Sequence, residues 1–257
     1  MKITILGCGP SNGVPTVTGE WGACNPQNPK NTRSRPSILI QFEDINILVD
    51  TSPDFRSQAI NAGITSLDAI LFTHEHADHI MGIDDLRSIA KKMERQIDVF
   101  ASSTVLNQLI KKFGYLFEGK YNKDVYDLYR PIYRPHPIID RFKIQDRTVI
   151  PFKQDHGICE SWGYRIDNFA YSTDVVRLNH DSLELLHGLD CWVVDCLRKN
   201  PAHPTHAHWD VTKEWIDKVK PRRVILTHMN FETDYDEFLN FLPDGVEPAY
   251  DGLVINL

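Results

Sequence analysis

The feature that most constrains this chain is the segment His74-Glu75-His76-Ala77-Asp78-His79, which directly follows the apolar run 69–73. Closely spaced imidazoles and carboxylates suit one or two divalent metal ions, because such ions prefer these donors. A short apolar run that ends in such a cluster predicts a buried strand stopping at a site. A solvated turn is the alternative, but HxHxDH spacing seldom arises by chance. The segment therefore predicts a metal centre at a strand end.

The HxHxDH spacing resembles the signature of the metallo-β-lactamase superfamily, with Glu75 and Ala77 at the variable positions. In that superfamily the remaining motif residues come from separate strand ends far along the chain. Residues that match these motifs follow strand-like runs here in the same order: Asp50, His156, Asp174 and His228. The resemblance therefore extends over nearly the whole chain.

The resemblance implies an α/β (α+β) fold, the four-layer αββα sandwich, with the metals at the edge of two facing β-sheets. The sequence agrees, because short strands alternate with helical patterns. Runs 37–42 and 45–49 predict a hairpin, and a helix is expected between Pro53 and Gly63. Apolar residues at helical spacing from Ile80 to Met93 predict a helix that starts at the site. No linker is evident, so we expect one domain over residues 1–257.

The superfamily's ligand roles can be transferred to this chain position by position. His74, His76 and His156 would hold one ion; Asp78, His79 and His228 would hold the other; Asp174 would bridge them, and Asp50 would orient ligands by hydrogen bonding. Asp78 would also orient the nucleophile. The resemblance thus implies a hydrolase with two divalent ions, Zn²⁺ or Mn²⁺, which together generate a bridging hydroxide.

Further residues narrow the substrate class. True β-lactamases place Cys where this chain has Asp174, so the chain resembles the phosphodiesterase and thioesterase branches more closely. In the branch that contains tRNase Z and the cyclic phosphodiesterase of phosphonate breakdown, a histidine from the region 201–208 sits beside the metals. We expect His206 to take that place, where it would bind the substrate phosphate or protonate the leaving oxygen, with His203 and His208 as further substrate contacts. These histidines could instead cap the helix that begins near Asp210.

The Gly-rich loop 7–15 resembles a loop in the same branch, where glycines permit close backbone approach to a phosphate. Ser11 and Asn12 are the candidate phosphate contacts. The chain also departs from the branch. The phosphonate enzyme's relatives carry several cysteines after this loop that bind a structural zinc, whereas only Cys24 is present here, and Phe231 replaces an expected histidine. We therefore expect no structural zinc site. The basic, Gly/Pro-rich arm of tRNase Z is also not evident.

Composition limits the partners and the compartment. The net charge of −7 argues against a phosphate-tracking surface, so we expect a small phosphodiester substrate and no stable binding of nucleic acid. Five cysteines without a repeated CxxC spacing argue against a disulfide framework. No apolar stretch is long enough to cross a membrane, and no signal peptide is evident, so we expect a cytoplasmic protein.

An aromatic-rich insertion covers residues 115–137 and also contains Arg130 and Arg134; its aromatic residues are Tyr115, Phe117, Tyr121, Tyr126, Tyr129 and Tyr133. Such a density of aromatic side chains predicts packing against other surfaces. The insertion could be an ordinary cover of the sheet, a lid over the site, or the contact of a homodimer, which the relatives suggest.

The sequence therefore favours a binuclear metal phosphodiesterase that acts on a small, cyclic or linear phosphodiester. A thioesterase or lactonase of the same fold is the first alternative, and the region 203–208 together with the Gly-rich loop favours phosphate over it. An RNA-processing nuclease resembling tRNase Z is the second alternative. A non-catalytic or oxygen-handling metal protein is a third, which the complete set of motif residues disfavours.

Overall fold

The computed structural model describes residues 1–118 and 130–257. These residues form two seven-stranded sheets that pack face to face. The first sheet has the order β14-β1-β2-β3-β4-β5-β6, and the second has the order β13-β12-β11-β10-β9-β8-β7. The strands of the first sheet are β1 (Lys2–Gly7), β2 (Ser37–Gln41), β3 (Asn46–Val49), β4 (Ala69–Leu71), β5 (Ile97–Ala101), β6 (Tyr133–Pro137) and β14 (Val254–Asn256).

The second sheet is formed from the later part of the chain. Its strands are β7 (Phe142–Ile144), β8 (Arg147–Asp155), β9 (Glu160–Ile166), β10 (Phe169–Ser172), β11 (Cys191–Asp195), β12 (Arg223–Thr227) and β13 (Val246–Pro248). Strands β3 to β6 pair in parallel in the first sheet, and β10 to β13 pair in parallel in the second. Because parallel strands end at one edge, each sheet presents several strand ends on the same side.

Helices cover the outer faces of both sheets. Those on the first sheet are α1 (Phe55–Asn61), α2 (Ala77–Ile80), α3 (Arg87–Met93) and α4 (Ser103–Phe117); those on the second sheet are α5 (His180–Glu184), α6 (Trp209–Val219) and α7 (Tyr235–Phe241). The four-layer αββα sandwich expected from the sequence is therefore confirmed. No helix in the described ranges is long and apolar enough to span a membrane.

Alternation along the strands of the first sheet separates two cores. In β3, Ile47 and Val49 face the second sheet, whereas Leu48 faces the outer helices. In β4, Leu71 belongs to the inner core and Ile70 to the outer one. Both faces are buried, which explains why these strands are continuous apolar runs in the sequence.

The predicted hairpin forms, with Ile38 opposite Val49 and Gln41 opposite Asn46. The helix predicted before Gly63 is α1. The helix predicted from Ile80 to Met93 is interrupted, because a 3-10 helix at Ile83–Leu86 separates α2 from α3. The interruption lies at Gly82, where a β-carbon would come within 2.1 Å of the Ser52 carbonyl oxygen. Close packing of this turn on the segment after β3 therefore prevents one continuous helix.

The described flanks of the aromatic-rich insertion pack on the first sheet. Tyr133 is 1% exposed, and its hydroxyl donates to the Ile83 carbonyl. Phe117 is buried, and the hydroxyl of the partly exposed Tyr115 donates to Asp84 at 2.7 Å. The flank 115–117 thus ends α4, which lies on the first sheet, and the flank 133–137 forms the edge strand β6 of that sheet. Tyr121, Tyr126 and Tyr129 lie outside the described residues, and the lid and dimer hypotheses stay predictions.

Candidate metal centre

Strand ends from both sheets converge at one edge of the sandwich. Asp50 follows β3 and His74 lies just beyond β4 in the first sheet, while Asp174 follows β10 and His228 follows β12 in the second. His156 directly follows the last residue of β8. All five side chains are buried. The fold thus brings together residues that are as much as 178 positions apart (228 − 50).

Three of these strand-end residues adopt a strained backbone conformation. Asp50, Asp174 and His228 have φ angles of 60°, 54° and 62°, in the left-handed region that residues with a β-carbon usually avoid. Each such residue costs about 1–3 kcal/mol unless the surroundings compensate for it. Strain of this kind concentrates at functional sites, and here it coincides with the cluster of ionisable side chains.

The first group of candidate ligands contains His74, His76, His156 and Asp174, whose potential ligand atoms all lie within 4.8 Å of one another. The Nε2 atoms of His74 and His156 lie 3.8 Å and 3.4 Å from Oδ1 of Asp174. His76 is the most accessible member, and the other three are buried. The spacing suits a single ion held by three imidazoles and one carboxylate oxygen.

The second group contains Asp78, His79, Asp174 and His228, also within 4.8 Å of one another. The Nε2 atoms of His79 and His228 lie 3.0 Å and 3.3 Å from Oδ2 of Asp174. The same two nitrogens lie 3.4 Å and 3.6 Å from Oδ2 of Asp78. Asp174 therefore belongs to both groups, and its two oxygens face different sets of imidazoles.

Several atoms of the two groups are buried without a hydrogen-bond partner. They are Nε2 of His74 and His79, both ring nitrogens of His228, and Oδ2 of Asp78. Buried polar atoms almost always have a partner, so a cluster of exceptions requires an explanation. Imidazole nitrogens and carboxylate oxygens aimed at shared points are the donor set of a divalent metal ion. The residues thus fit the metal ions that the sequence predicts.

The second nitrogen of three imidazoles is held by a neighbouring oxygen. Nδ1 of His74 lies 2.9 Å from Thr73 Oγ1, and Nδ1 of His156 lies 2.7 Å from the Thr205 carbonyl. Nδ1 of His79 lies 2.7 Å from Oδ2 of Asp50. Such contacts fix the tautomer and the ring orientation of metal-binding histidines. Asp50 thus lies where the sequence predicts an orienting acid.

Electrostatics favour the metal-binding protonation state at His74, His156 and Asp174. Burial lowers the pKa of His74 and of His156, which favours the neutral imidazoles. Burial acts against ionisation of Asp174, but the imidazoles of His228, His79 and His74 lower the pKa of that carboxyl well below its usual range. A metal ion requires neutral imidazole and ionised carboxylate. At His79 burial lowers the pKa, but the carboxylates of Asp174, Asp78 and Asp50 outweigh burial and raise it well above its usual value. Burial raises the pKa of Asp50, against the opposing effect of His79 and Thr73.

His206 lies beside the cluster, where it contacts Asp195, a carboxylate that was not predicted from the sequence. Its Nδ1 lies 3.0 Å from Oδ2 of Asp195, and its Nε2 lies 3.9 Å from Oδ1 of Asp174. Its ring stacks on His228 with centroids 4.6 Å apart. Asp195 is fully buried and ends β11. Its position as an acid that ends an apolar strand, like Asp50, was the available signal.

The remaining predicted residues have different positions. His203 is half-buried, with its ring centroid 5.3 Å from that of His206. His208 is the N-cap residue of α6, but its side chain makes no capping hydrogen bond, and no ring contact in the described chain involves it. Ser11 and Asn12 are exposed in a turn of the N-terminal loop. The structure therefore brings His203 towards the cluster and leaves the other three outside it.

One further residue at the cluster was not predicted. Sγ of Cys159 lies 3.9 Å from Nε2 of His76. The backbone N–H of His156 donates to the Cys159 carbonyl at 3.0 Å, so the two residues face each other across the turn between β8 and β9. The thiol is partly exposed, whereas the other four cysteines are buried. No sequence signal separated Cys159 from those four.

Comparison with known proteins agrees with this geometry. The family model of the beta-lactamase superfamily domain matches residues 45–229, which contain all of the residues in the two groups. The chain belongs to this family, and it is accordingly a metallo-β-lactamase-fold hydrolase with a metal-binding cluster.

Individual relatives are similar over different shares of their length. A crystal structure of a new diphosphatase from the PhnP family has a TM-score of 0.90 and 33% identity, covering 99% of this chain and 96% of that chain. An octanoyltransferase of Porphyromonas gingivalis is 33% identical across 98% of this chain but only 51% of its own length. A ribonuclease Z of Methanopyrus kandleri is 26% identical over 54% of this chain and 46% of its own length. The chain thus spans about half the length of these two curated relatives.

Proposed function

We propose that this chain is a binuclear metal-dependent phosphohydrolase that cleaves a small phosphodiester or diphosphate. The position of Asp174 carries the proposal, because its Oδ1 faces His74 and His156 while its Oδ2 faces His79 and His228. A carboxylate with this arrangement suits a bridge between two ions. When bound, two such ions supply a water-derived nucleophile at neutral pH and neutralise the charge that builds on phosphoryl oxygens.

The residues of the two groups would hold the ions, Zn²⁺ or Mn²⁺. His74, His76 and His156 would bind one, and Asp78, His79 and His228 would bind the other, with Asp174 shared. Asp50 supports both groups, because it contacts His79 directly and contacts Thr73, which in turn contacts His74. Asp78 has one unpartnered oxygen beside the second group, so it also suits the orientation of the nucleophile.

His206 is our choice as the proton donor to the leaving oxygen. Asp195 holds Nδ1, which leaves Nε2 directed at the cluster. Although burial opposes it, the Asp195 carboxylate raises the pKa of His206 to about 9, so that the imidazole carries a proton at neutral pH. Proton donation of this kind contributes roughly 10²–10⁴ to a rate. His203, nearer the surface, suits contact with an outer phosphate oxygen.

The similarity to the diphosphatase supports phosphorus chemistry, since it extends over both chains almost completely. A second candidate is hydrolysis of an acyl ester or thioester. The octanoyltransferase favours it, because the similarity covers nearly all of this chain, although half of that protein lies outside the match. An RNA substrate is less favoured, because the net charge of −7 disfavours a polyanion.

Hydrolysis of bis(p-nitrophenyl) phosphate with Zn²⁺ or Mn²⁺ tests the proposal first. We expect metal-dependent turnover that Asp78→Ala abolishes. Asp98→Asn is the matched control, because Asp98 pairs with Arg134 and His136 outside the two groups, and it should keep wild-type turnover. A fully metal-loaded protein that hydrolyses an octanoyl thioester but no phosphodiester or diphosphate would contradict the proposal and support the second candidate.

The role of His206 can be separated from metal binding by varying the leaving group. p-Nitrophenolate leaves without a proton, whereas an alkoxide needs one. We therefore expect His206→Gln to slow cleavage of an alkyl phosphodiester far more than cleavage of the p-nitrophenyl ester. Equal losses on both substrates, with both ions still bound, would exclude proton donation by His206.

Two wider expectations complete the proposal. We place the protein in a reducing cytoplasm, because all five cysteines are free and four are buried. A homodimer stays a prediction, and a molar mass from sedimentation equilibrium would check it.

A further inference from the structure

The loop 229–234, which follows His228, determines where that imidazole lies. His228 leaves β12 with a φ of 62°, so the next residues must hold the chain in a strained turn. The loop makes few backbone hydrogen bonds to the rest of the protein. Met229 N donates to Cys8 O at 3.1 Å, and Asn230 N donates to Leu197 O at 2.9 Å. Side chains of the segment 22–33 add further support to this loop.

Arg33 provides that support from the N-terminal segment. Its side chain is 1% exposed and reaches three carbonyl oxygens of the loop. Nη1 donates to the carbonyls of Asn230 at 3.1 Å and Met229 at 3.5 Å, and Nη2 donates to that of Thr233 at 2.7 Å. A planar guanidinium can hold several acceptors in fixed directions, which a lysine ammonium cannot do.

The buried charge of Arg33 has no carboxylate in direct contact within the described ranges. Nη2 donates to Oδ1 of Asn31 at 3.2 Å, and Nδ2 of Asn31 donates to Asp234 at 2.6 Å. A buried cation is costly unless it is well paired, so loop carbonyls and a relayed acid are its compensation. The cation is therefore placed to bind this loop.

The segment 22–33, which contains Arg33, also holds the C-terminal end of the loop 229–234. Asp234 accepts from Asn25 N at 2.9 Å and also caps α7 by accepting from Asp236 N and Glu237 N. Oδ1 of Asn31 accepts from Tyr235 N at 2.8 Å. The segment also approaches the middle of the loop, since Ala23 N donates to Phe231 O at 2.8 Å. Both ends of the loop are thus tied to residues 22–33.

We infer that Arg33 is a positioning residue that holds His228 in place for the second metal ion. The inference rests on the proposed two-ion function. Cys24, in the same segment 22–33, donates its Sγ–H to Thr233 O at 3.3 Å. In this chain the segment is tied to the loop by hydrogen bonds centred on Arg33. Loss of Arg33 should displace His228 and leave His74, His76 and His156 where they are.

The test is metal stoichiometry and affinity, measured by chelator competition without any substrate. Arg33→Met should bind the first ion with unchanged affinity. Its affinity for the second ion should fall by roughly 10–100-fold, the usual effect of removing an orienting contact. His228→Gln and His156→Gln provide references for damage to the second and first groups. Arg165→Met is the matched control, because Arg165 likewise donates to the carbonyls of Leu185 and His187, in a loop without candidate ligands.

The outcomes separate the inference from the proposed function. A wild-type protein that binds a single ion would remove the two-ion proposal and, with it, this inference. A wild-type protein and a folded Arg33→Met variant that both bind two ions equally well would overturn the inference alone. Arg33→Lys provides the test if Arg33→Met does not fold. It should reduce the affinity for the second ion, and a wild-type affinity in Arg33→Lys would also overturn the inference.

Discussion

Replacing Asp50 with asparagine should reduce the affinity for both metal ions, although Asp50 itself belongs to neither group of ligands. Oδ1 accepts from Thr73 N at 2.8 Å. Oδ2 accepts from Thr73 Oγ1 at 2.8 Å and lies 2.7 Å from His79 Nδ1. Because the backbone N–H of Thr73 must have an acceptor, the amide oxygen of asparagine takes the place of Oδ1. The amide NH₂ group then replaces Oδ2.

This exchange reverses three hydrogen bonds. The new NH₂ group donates to Nδ1 of His79, which moves the ring proton to Nε2, the atom that faces Asp78 and Asp174. It also donates to Thr73 Oγ1, whose own proton then turns to Nδ1 of His74, 2.9 Å away. His74 therefore acquires an Nε2 proton as well. One substitution thus places a proton on a ligand atom in each of the two groups.

The expected loss follows from the two tautomers. An incorrectly oriented or protonated histidine ligand costs roughly 10–100-fold in metal affinity, which is about 1.4–2.7 kcal/mol for each ion. Titration calorimetry with Zn²⁺ should show both affinities reduced in Asp50→Asn. Thr73→Val removes the Oγ1 contacts with His74 Nδ1 and with Asp50 Oδ2 but leaves the contact between Asp50 and His79, so it should reduce the affinity for the first ion more than that for the second.

Asp68→Asn is the matched control for Asp50→Asn. Asp68 likewise accepts from a backbone N–H, that of Asn46 at 2.8 Å, and from a side chain, Arg95 at 2.6 Å, but it lies outside both groups. The Asp68→Asn variant should bind both ions with wild-type affinity. Wild-type affinities in a folded Asp50→Asn variant, or imidazole nitrogen shifts that show an unprotonated Nε2 in His79, would refute the tautomer argument.

Three further predictions concern the same centre. Free metal at 100-fold above its Kd should stabilise the protein by about 2.7 kcal/mol per site, which raises Tm by roughly 5–10 °C per site, and a chelator should reverse the shift in a thermal scan. Gly157→Ala should no longer bind the first ion, because Gly157 has a φ of 83° and a β-carbon there would lie 2.6 Å from Pro204 O. The clash would displace the neighbouring Thr205 carbonyl, which orients His156. Equilibrium dialysis checks this prediction. Asp195→Asn should lower the pKa of His206, so that the alkaline limb of the rate profile moves to lower pH; an unmoved limb would contradict the assignment.

The fold and the two ligand groups were predictable from sequence because their signals are local. HxHxDH places Asp78 and His79 on a helix that starts at the end of a strand. Asp174 and His228 each close an apolar run. Because parallel strands end at one edge of a sheet, such residues must lie on the same side of their sheet. The resemblance to a known family then connects the two sheets.

The supporting contacts were not predictable, because they depend on packing between distant segments. Asp195 meets His206 only after residues 196–205 have folded back over the sheet. The contact of Arg33 with the loop 229–234 joins residues that are about 200 positions apart, for example 197 for Asn230. Arg33 has no local pattern that distinguishes it from an ordinary surface arginine. Asp195 ends an apolar strand, but no local pattern identifies His206 as its partner. Gly82 likewise interrupts a regular helical pattern only because Ser52 lies against it.

The backbone and the side chains of this centre depend on each other. Asp50, Asp174 and His228 all hold left-handed conformations, and each is kept there by contacts from other segments: Asp50 N donates to Leu71 O at 2.9 Å, for example. The turns at Asp174 and His228 aim their side chains at the points where the unpartnered nitrogens and oxygens meet, and the turn at Asp50 aims its carboxylate at Nδ1 of His79. A substitution that relaxed one turn, such as glycine at 228, would ease the strain but remove the ligand. The strain and the ligand geometry therefore have to be retained together, and the hydrogen bonds from Thr73, Asp195 and Arg33 are the contacts that hold them.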